Sequence, residues 1–382
     1  MFKFDFGVDD EEDGQVTVQN SVVSDEAHTG ESSTSGARYR AIEMDELIEK
    51  LPPMISFSEM DLPFETSECK LYRRDLYDAR FQVIDELASD DEEDLPIAPV
   101  EQEVKDTATY VNADTDLIPG TYEGGLKTWE GGMDLVEVLE DQHRRMPEGI
   151  GSWARGKRIL EVGCGTGLPC IYLLHRLLQL ENPSDDVITE IHLQDYNISV
   201  LQLVTLPNLI LATIPGSSLA SLENNNLELT EEIVQGFKDR LRAANIKLSF
   251  SYGDWSGFAQ TLAGSETGAG YDLLLTAETI YRLESVPSLI QVLKRAPKAE
   301  DQKSRDQASS ADVASALDSL TLQKPWKAED VVILVAAKIL YFGVGGGMQD
   351  FVRSVERHGG TAEVVKTWSS GVGRQAVRIH WE

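Results

Sequence analysis

An apolar run, Arg158-Ile159-Leu160-Glu161-Val162, passes directly into Gly163-Cys164-Gly165-Thr166-Gly167-Leu168 and then into helical spacing. Glycines at alternate positions let a backbone bend sharply and approach a ligand that any Cβ would obstruct. A dinucleotide fingerprint needs its third glycine at position 168, where small size lets pyrophosphate rest on the helix N-terminus, and that residue is Leu168. The spacing therefore suits a ligand with no phosphate, whose amino-acid portion lies over the loop. Glu161 is the acid of this motif, placed to orient the loop and to meet an ammonium directly or through water. A glycine-rich turn after a strand can also be only a tight turn, so what shares the same edge decides.

Three further acidic side chains follow strand-like runs. Asp195, in Gln194-Asp195-Tyr196-Asn197, stands where two ribose hydroxyls need a bidentate acceptor. Asp254, in Gly253-Asp254-Trp255-Ser256, can accept from an adenine amino group while the Trp255 indole covers the ring face. Glu278, in Thr276-Ala277-Glu278-Thr279-Ile280-Tyr281, lies at the edge where such folds present groups to the reacting centre. Alone, each would be a solvated loop acid or a turn; in register they form one crevice. The six histidines, His28, His143, His175, His192, His358 and His380, lack ligand spacing, so no metal is expected. Cys69, Cys164 and Cys170 are too few and too unpatterned for a disulfide framework, which points to a reducing compartment, cytosol or nucleus.

The elements that must position these groups alternate between strand and helix from about residue 121, the pattern of an α/β parallel sheet covered on both faces. Strands are expected at 158–162, 190–195, 247–251, 271–277 and 330–337, and helices at 133–145, 168–180, 199–206, 230–244, 286–295 and 348–358. Two β-rich runs, 363–368 and 375–381, flank Ser369-Ser370-Gly371-Val372-Gly373 and read as a hairpin. That makes seven strands. A dinucleotide-binding Rossmann domain has six parallel strands, whereas the Rossmann-like class I methyltransferase fold ends with an antiparallel seventh strand beside the fifth. Stretches 217–229 and 298–324 read as surface insertions.

Of 65 acidic and 34 basic residues in the 382-residue chain, 31 acidic and 9 basic lie before residue 121, so this leader carries most of the net charge of −31. Runs such as 9–13 and 89–94 repel themselves and bury little, so residues 1–113 read as a largely disordered leader, with 41–51 and 71–87 as possible docking helices. Residues 114–382 are then the folded domain. Such acidity argues against direct nucleic-acid binding and for a basic protein partner. The N-terminus turns acidic at once, unlike a secretory signal, and the best apolar stretch, 331–342, is broken by Lys338, so no membrane span is expected.

Several strings occur together in order: 116–130 (Asp-Leu-Ile-Pro-Gly-Thr-Tyr-Glu-Gly-Gly-Leu-Lys-Thr-Trp-Glu), Gln194-Asp195-Tyr196-Asn197, Val204-Thr205-Leu206-Pro207-Asn208, Gly253-Asp254-Trp255, Glu278-Thr279-Ile280-Tyr281 and Tyr341-Phe342-Gly343-Val344-Gly345-Gly346-Gly347. Over residues 114–382 the chain resembles the eukaryotic protein-histidine methyltransferases. The resemblance implies S-adenosylmethionine as cofactor, a single chain as the working unit, and methylation of the tele nitrogen of one histidine in a basic protein of the large ribosomal subunit. It also implies that Thr128, Trp129, Glu130, Gly131 and Gly132 cap the cofactor, with Gly163, Gln194, Asp195, Tyr196, Gly253, Asp254, Trp255 and Thr276 or Ala277 completing the site. Gly131 and Gly132 stand where bulkier residues are expected, Glu161 where aspartate is usual, and Ala277 where serine is common. The glycines and aromatics of Tyr341, Phe342, Gly343, Gly345, Gly346 and Gly347 suit a lip that passes a protein substrate.

Neutral imidazole needs no base to attack a sulfonium methyl, only an acceptor that fixes its tautomer; Asn197 and Glu278 are the candidates. A lysine methyltransferase of the same superfamily, a non-catalytic adaptor for a ribosomal protein and an NAD-linked oxidoreductase are the rival assignments, the last disfavoured by Leu168 and the terminal hairpin.

Overall fold

Strand β4 (Arg158–Val162) is apolar on both faces apart from Glu161, and a strand of that kind belongs in the middle of a covered sheet. The computed structural model describes residues 38–62, 64, 69–79, 82, 124–180, 187–264, 270–298, 324–341 and 346–381. In it β4 lies parallel between β5 (Thr189–Asp195) and β8 (Leu273–Ala277). Outside them run β7 (Ile246–Tyr252) and β9 (Val332–Lys338), both parallel. The hairpin of β10 (Gly360–Trp368) and β11 (Arg374–Trp381) closes one side, with β11 antiparallel to β9. The expected insertion of the last strand beside the fifth is thus present, and the fold is that of a class I methyltransferase.

An eighth strand was not foreseen. β1 (Arg40–Ile42), from the segment assigned to the leader, pairs antiparallel with β7 and gives the order β1-β7-β5-β4-β8-β9-β11-β10. Two other departures share this origin. Within 71–87, expected as a helix, Tyr72–Arg74 is strand β3, and within the supposed insertion 217–229, Asn226–Glu228 is strand β6; both flank β2 (Met54–Glu59) in a small antiparallel sheet. The compact unit accordingly begins at Gly36 and not at residue 114. Helix α1 (Met44–Ile48), inside the expected 41–51, docks through buried Leu47. Residues 299–323 of the second expected insertion lie outside the described residues.

Alternate residues of each strand face opposite layers. Ile159, Ile191, Leu193, Phe250 and Leu275 pack beneath α2 (Glu130–Arg145), α3 (Gly149–Ala154), α4 (Leu168–Leu178), α5 (Leu206–Thr213) and α6 (Glu231–Ala243). Leu160, Val162, Leu274, Ile333 and Val335 pack beneath α7 (Trp255–Gly264), α8 (Val286–Arg295) and α9 (Met348–Arg357). Ahead of α5, Ile198–Val200 is helical and Leu201–Thr205 widens into a π turn, a form that often marks a functional position. Among the described residues no helix is long and apolar enough to cross a membrane.

Polar anchors fix α2, whose N-terminus reaches the carboxyl ends of the strands. Lys366 bridges Glu137 and Asp141 at 2.8 and 2.6 Å, and Arg374 binds Asp134 at 2.7 Å, so the terminal hairpin holds the outer flank. On the inner flank the buried Glu140 carboxylate accepts from Tyr172 at 2.7 Å and Arg176 at 2.8 Å on α4. Glu140→Ala would leave the buried Arg176 without its counter-charge. Urea denaturation is expected to show a loss of about 3–5 kcal/mol; a loss within experimental error would show that the pair contributes nothing.

Candidate functional site

Gly163, Gly165 and Gly167 have φ of +61°, +52° and +71°, a left-handed series that only glycine adopts without strain. The end of β5 holds this loop in place. Gly163 N–H donates to Gln194 Oε1 at 3.3 Å and Gly165 N–H to Asp195 Oδ2 at 2.9 Å, while Asp195 Oδ1 accepts from Asn197 N–H at 3.0 Å. Burial raises the Asp195 carboxyl to about 6, against the pull of those backbone amides. Thr205, turned inward by the π turn, donates to Gly165 O at 2.6 Å.

Glu161 does not reach toward a ligand's ammonium. Its Oε2 accepts from Cys170 N–H at 3.0 Å, in the first turn of α4, where unpaired amides and the helix dipole favour a carboxylate. Burial pushes its carboxyl up to about 8. A carboxyl that holds its proton more tightly folded than unfolded stabilises the fold below its unfolded pKa and loses that contribution as pH rises, here between about 4.5 and 8. Glu161→Gln cannot ionise, so its melting temperature is expected to gain on the parent's as pH moves from about 6 to about 9. A constant difference across that range would contradict this account.

On one side of the loop, Gly253 takes φ +100° and donates to Asp195 O and Tyr196 O at 3.0 and 3.1 Å. Gln194 Nε2 donates to Gly253 O at 3.0 Å, and Gln194 Oε1 also accepts from Trp255 Nε1 at 3.0 Å. Asp254 Oδ1 accepts from Gly257 N–H at 2.8 Å and so caps α7, a helix the sequence reading took for a turn. Gln194 and Tyr196 enter as scaffolding: the first is fully buried and the second contributes its carbonyl.

On the other side runs the segment from Gly124 to the start of α2. Asn197 Nδ2 donates to Gly124 O at 3.1 Å and Thr128 Oγ1 lies 3.3 Å from Thr166 Oγ1. Asn197 is therefore a buried brace for the cap, with its amide committed there, and the role of holding a substrate ring passes to Glu278. Trp129 precedes α2, and its ring faces Lys338 Nζ at 5.2 Å; the same amine stands 3.6 Å from Glu130. Gly131 explains one departure from the expected pattern, because a Cβ there would lie 3.0 Å from Ala336 O and Glu278 Cγ. A Cβ on Gly132 would meet nothing within 4 Å, and the structure gives no reason for glycine at that position.

Glu278 itself takes φ +55°, an uncommon conformation for a long side chain and a typical mark of a functional position. Its Oε1 accepts from Gly131 N–H at 3.1 Å and its Oε2 from the Tyr341 hydroxyl. Burial holds the carboxyl above the usual range, with Tyr341 and Lys338 pulling the other way. Thr276 donates to Val162 O at 2.7 Å and meets Thr279 Oγ1, joining β8 to β4 and not facing outward, while Ala277 is half-buried beside it. Tyr281 and Tyr341 meet edge to face at 6.4 Å. Gly346 and Gly347 close the base of the lip, where Cβ atoms would come within 2.6 Å of Tyr281 O and 2.5 Å of Ile339 O. Phe342, Gly343 and Gly345 lie outside the described residues.

Three contributors escaped the sequence reading. Thr205 and Asn208 lie in a string quoted only for its resemblance, and Lys338 was seen only as a break in an apolar run.

The residues fit S-adenosylmethionine. Glu161 fills the helix N-terminus that a phosphate would need, so the turn is left to a phosphate-free ligand. The strand ends around it offer carboxylates, an indole and main-chain groups, the donor set that an amino acid, a ribose and an adenine require.

No family model matches the chain. It is 27% identical to histidine protein methyltransferase 1 of Saccharomyces cerevisiae, over 92% of this chain and 89% of the relative. Against the protein of that name from Schizosaccharomyces pombe it is 27% identical, covering 90% of this chain and 85% of the relative. A Bos taurus homolog is 32% identical over 63% of this chain and 51% of its own length. A solved magnesium protoporphyrin IX methyltransferase from Synechocystis, covering 78% of this chain and 94% of its own, is 9% identical with a TM-score of 0.32, too low to carry any argument. Strand order, glycine turn and this kinship together make the chain a class I methyltransferase and a relative of the histidine protein methyltransferases.

Proposed function

We propose that the chain transfers a methyl group from S-adenosylmethionine to the tele nitrogen of a histidine in a basic protein of the large ribosomal subunit. The observation that carries this reading is the buried Glu278 carboxylate at the end of β8, held in a strained conformation between the cap helix and the Tyr341 phenol. Kinship over about nine-tenths of the chain to proteins named for histidine methylation supports it.

When bound, the cofactor supplies an electrophilic methyl on a sulfonium, and the displacement is in line. Glu278 accepts the N–H of the substrate imidazole, which a carboxylate can do while keeping both present partners, since its two oxygens offer about four lone-pair directions. That bond fixes the tautomer and aims the unprotonated nitrogen at the methyl. Trp129, Tyr281 and Tyr341 exclude water from the line of attack. The ring becomes cationic on methylation, and the negative Glu278 steadies it until its proton leaves to solvent. The net charge of −31 suits a basic partner, one met in cytoplasm or nucleus.

Labelled cofactor and cellular protein, with and without this chain, read by mass spectrometry, test the reading. One methylated histidine in a ribosomal protein is expected. A methylated lysine would move the chain to the lysine-modifying relatives, and no calorimetric binding of the cofactor would leave an adaptor.

A further inference from the structure

The acidic leader reaches the presumed cofactor cleft at two separate points. At the first, a Cβ on Gly253 would stand 2.6 Å from Arg38 O and 2.8 Å from Tyr39 Cα, so the backbone of the leader lies flat on the turn that carries Asp254 and Trp255. The Tyr39 ring stacks on Phe258 of α7 at 4.7 Å and 10°, and Tyr39 crowds Gly257, the residue whose amide Asp254 caps. From there the contacts run inward. Trp255 donates to Gln194, and the same Gln194 oxygen accepts from Gly163 in the glycine loop. At the second point, Arg74 N–H in β3 donates to Asn208 Oδ1 at 2.7 Å, and Asn208 Nδ2 donates to Thr166 O at 3.0 Å, on the opposite part of that loop. The guanidinium of Arg74 is buried beneath it and donates to Leu203 O at 2.9 Å.

We propose that residues 38–79 form an outer wall of the S-adenosylmethionine cleft, with Tyr39 and Asn208 as positioning residues that set the two flanks of the glycine loop. The inference rests on the reading that this cleft binds the cofactor. Neither residue touches the reacting atoms. Both fix the backbone that does, so their loss should weaken cofactor binding and spare the chemical step once the cleft is filled.

The test uses the full chain, titrated calorimetrically with S-adenosylhomocysteine, alongside steady-state kinetics and thermal melting. Tyr39→Leu keeps apolar bulk and loses the stack. It is expected to raise Kd, and KM for the cofactor, about tenfold while leaving kcat at saturating cofactor within about twofold. Tyr39→Phe, which keeps the stack, is expected to restore parental affinity. Asn208→Asp is isosteric, still accepts from Arg74 N–H and cannot donate to Thr166 O, so it should weaken binding to a similar degree.

Parent-like Kd in both Tyr39→Leu and Asn208→Asp overturns the proposal, as does a fall in kcat with Kd and KM unchanged. If Tyr39→Leu does not melt cooperatively, Asn208→Asp decides alone. Failure of the parent itself to bind would strike the cofactor reading; a binding parent with unaffected variants would strike only this one.

Discussion

Glu278→Ala is expected to lower kcat by about 10²–10³-fold while changing the affinity for S-adenosylhomocysteine by no more than about fivefold. The two effects separate because Glu278 has two duties. Its bond to Gly131 N–H tethers the cap at 3.1 Å, and a single exposed-end helix amide is worth about 1 kcal/mol. Its second duty, accepting the substrate ring's N–H, exists only when a histidine is aligned, so its removal falls on turnover. Alanine also relieves little strain, since φ +55° is unfavourable for any Cβ. Glu278→Gln, still an acceptor but without charge, should lie between parent and Ala. Asn197→Ala behaves differently: it releases Gly124 O and should raise KM for the cofactor more than it lowers kcat. Unchanged turnover in Glu278→Ala would remove the residue from the mechanism.

Gly163→Ala should damage the other half of the site. The residue must keep φ +61°, which costs a non-glycine about 1–2 kcal/mol, and its new methyl would lie 2.6 Å from Thr279 Cγ2. Thr279 has little room to yield, because its hydroxyl meets Thr276, which is itself tied to Val162 O. Relief must come from the loop, carrying Gly165 away from Asp195. A shift of that order typically costs about 100-fold, here expected in cofactor Kd by calorimetry. Chemical denaturation should show a loss of about 2–3 kcal/mol. Parent-like cofactor affinity would mean that the turn is structural only.

Legibility followed sequence distance. Strand β4 was readable to the residue because a run buried on both faces ends in glycines, both local properties. The terminal hairpin was readable for the same reason, from Ser369-Ser370-Gly371-Val372-Gly373 between β-rich runs. β6 was not, since Asn226, Leu227 and Glu228 have no strand character of their own and become one only by pairing with β2, some 170 residues earlier. The start of α7 was misread because Gly253-Asp254-Trp255-Ser256 is turn chemistry, and an aspartate serving as N-cap looks the same as one in a loop.

The site shows the same division. That carboxylates stand at successive strand ends was visible; what each one holds was not. Glu161 looked available to a ligand, but whether a buried acid at this position faces outward or back into α4 depends on the geometry of a helix that begins seven residues later. Asn197 looked like a candidate for the substrate because the cap segment that claims its amide lies 73 residues away in the chain.

The wide turn at Leu201–Thr205 also limits which length changes the chain can bear. A π turn accommodates one residue more than ordinary helix, so deleting any single residue there would let the segment regularise and swing everything after it by about 100°. Leu206, Leu209 and Ile210 would then rotate out of the interior, and Asn208 would abandon Thr166 and Arg74 together. Relatives can vary the side chains of this stretch, but a gap within it would cost them both packing and the loop.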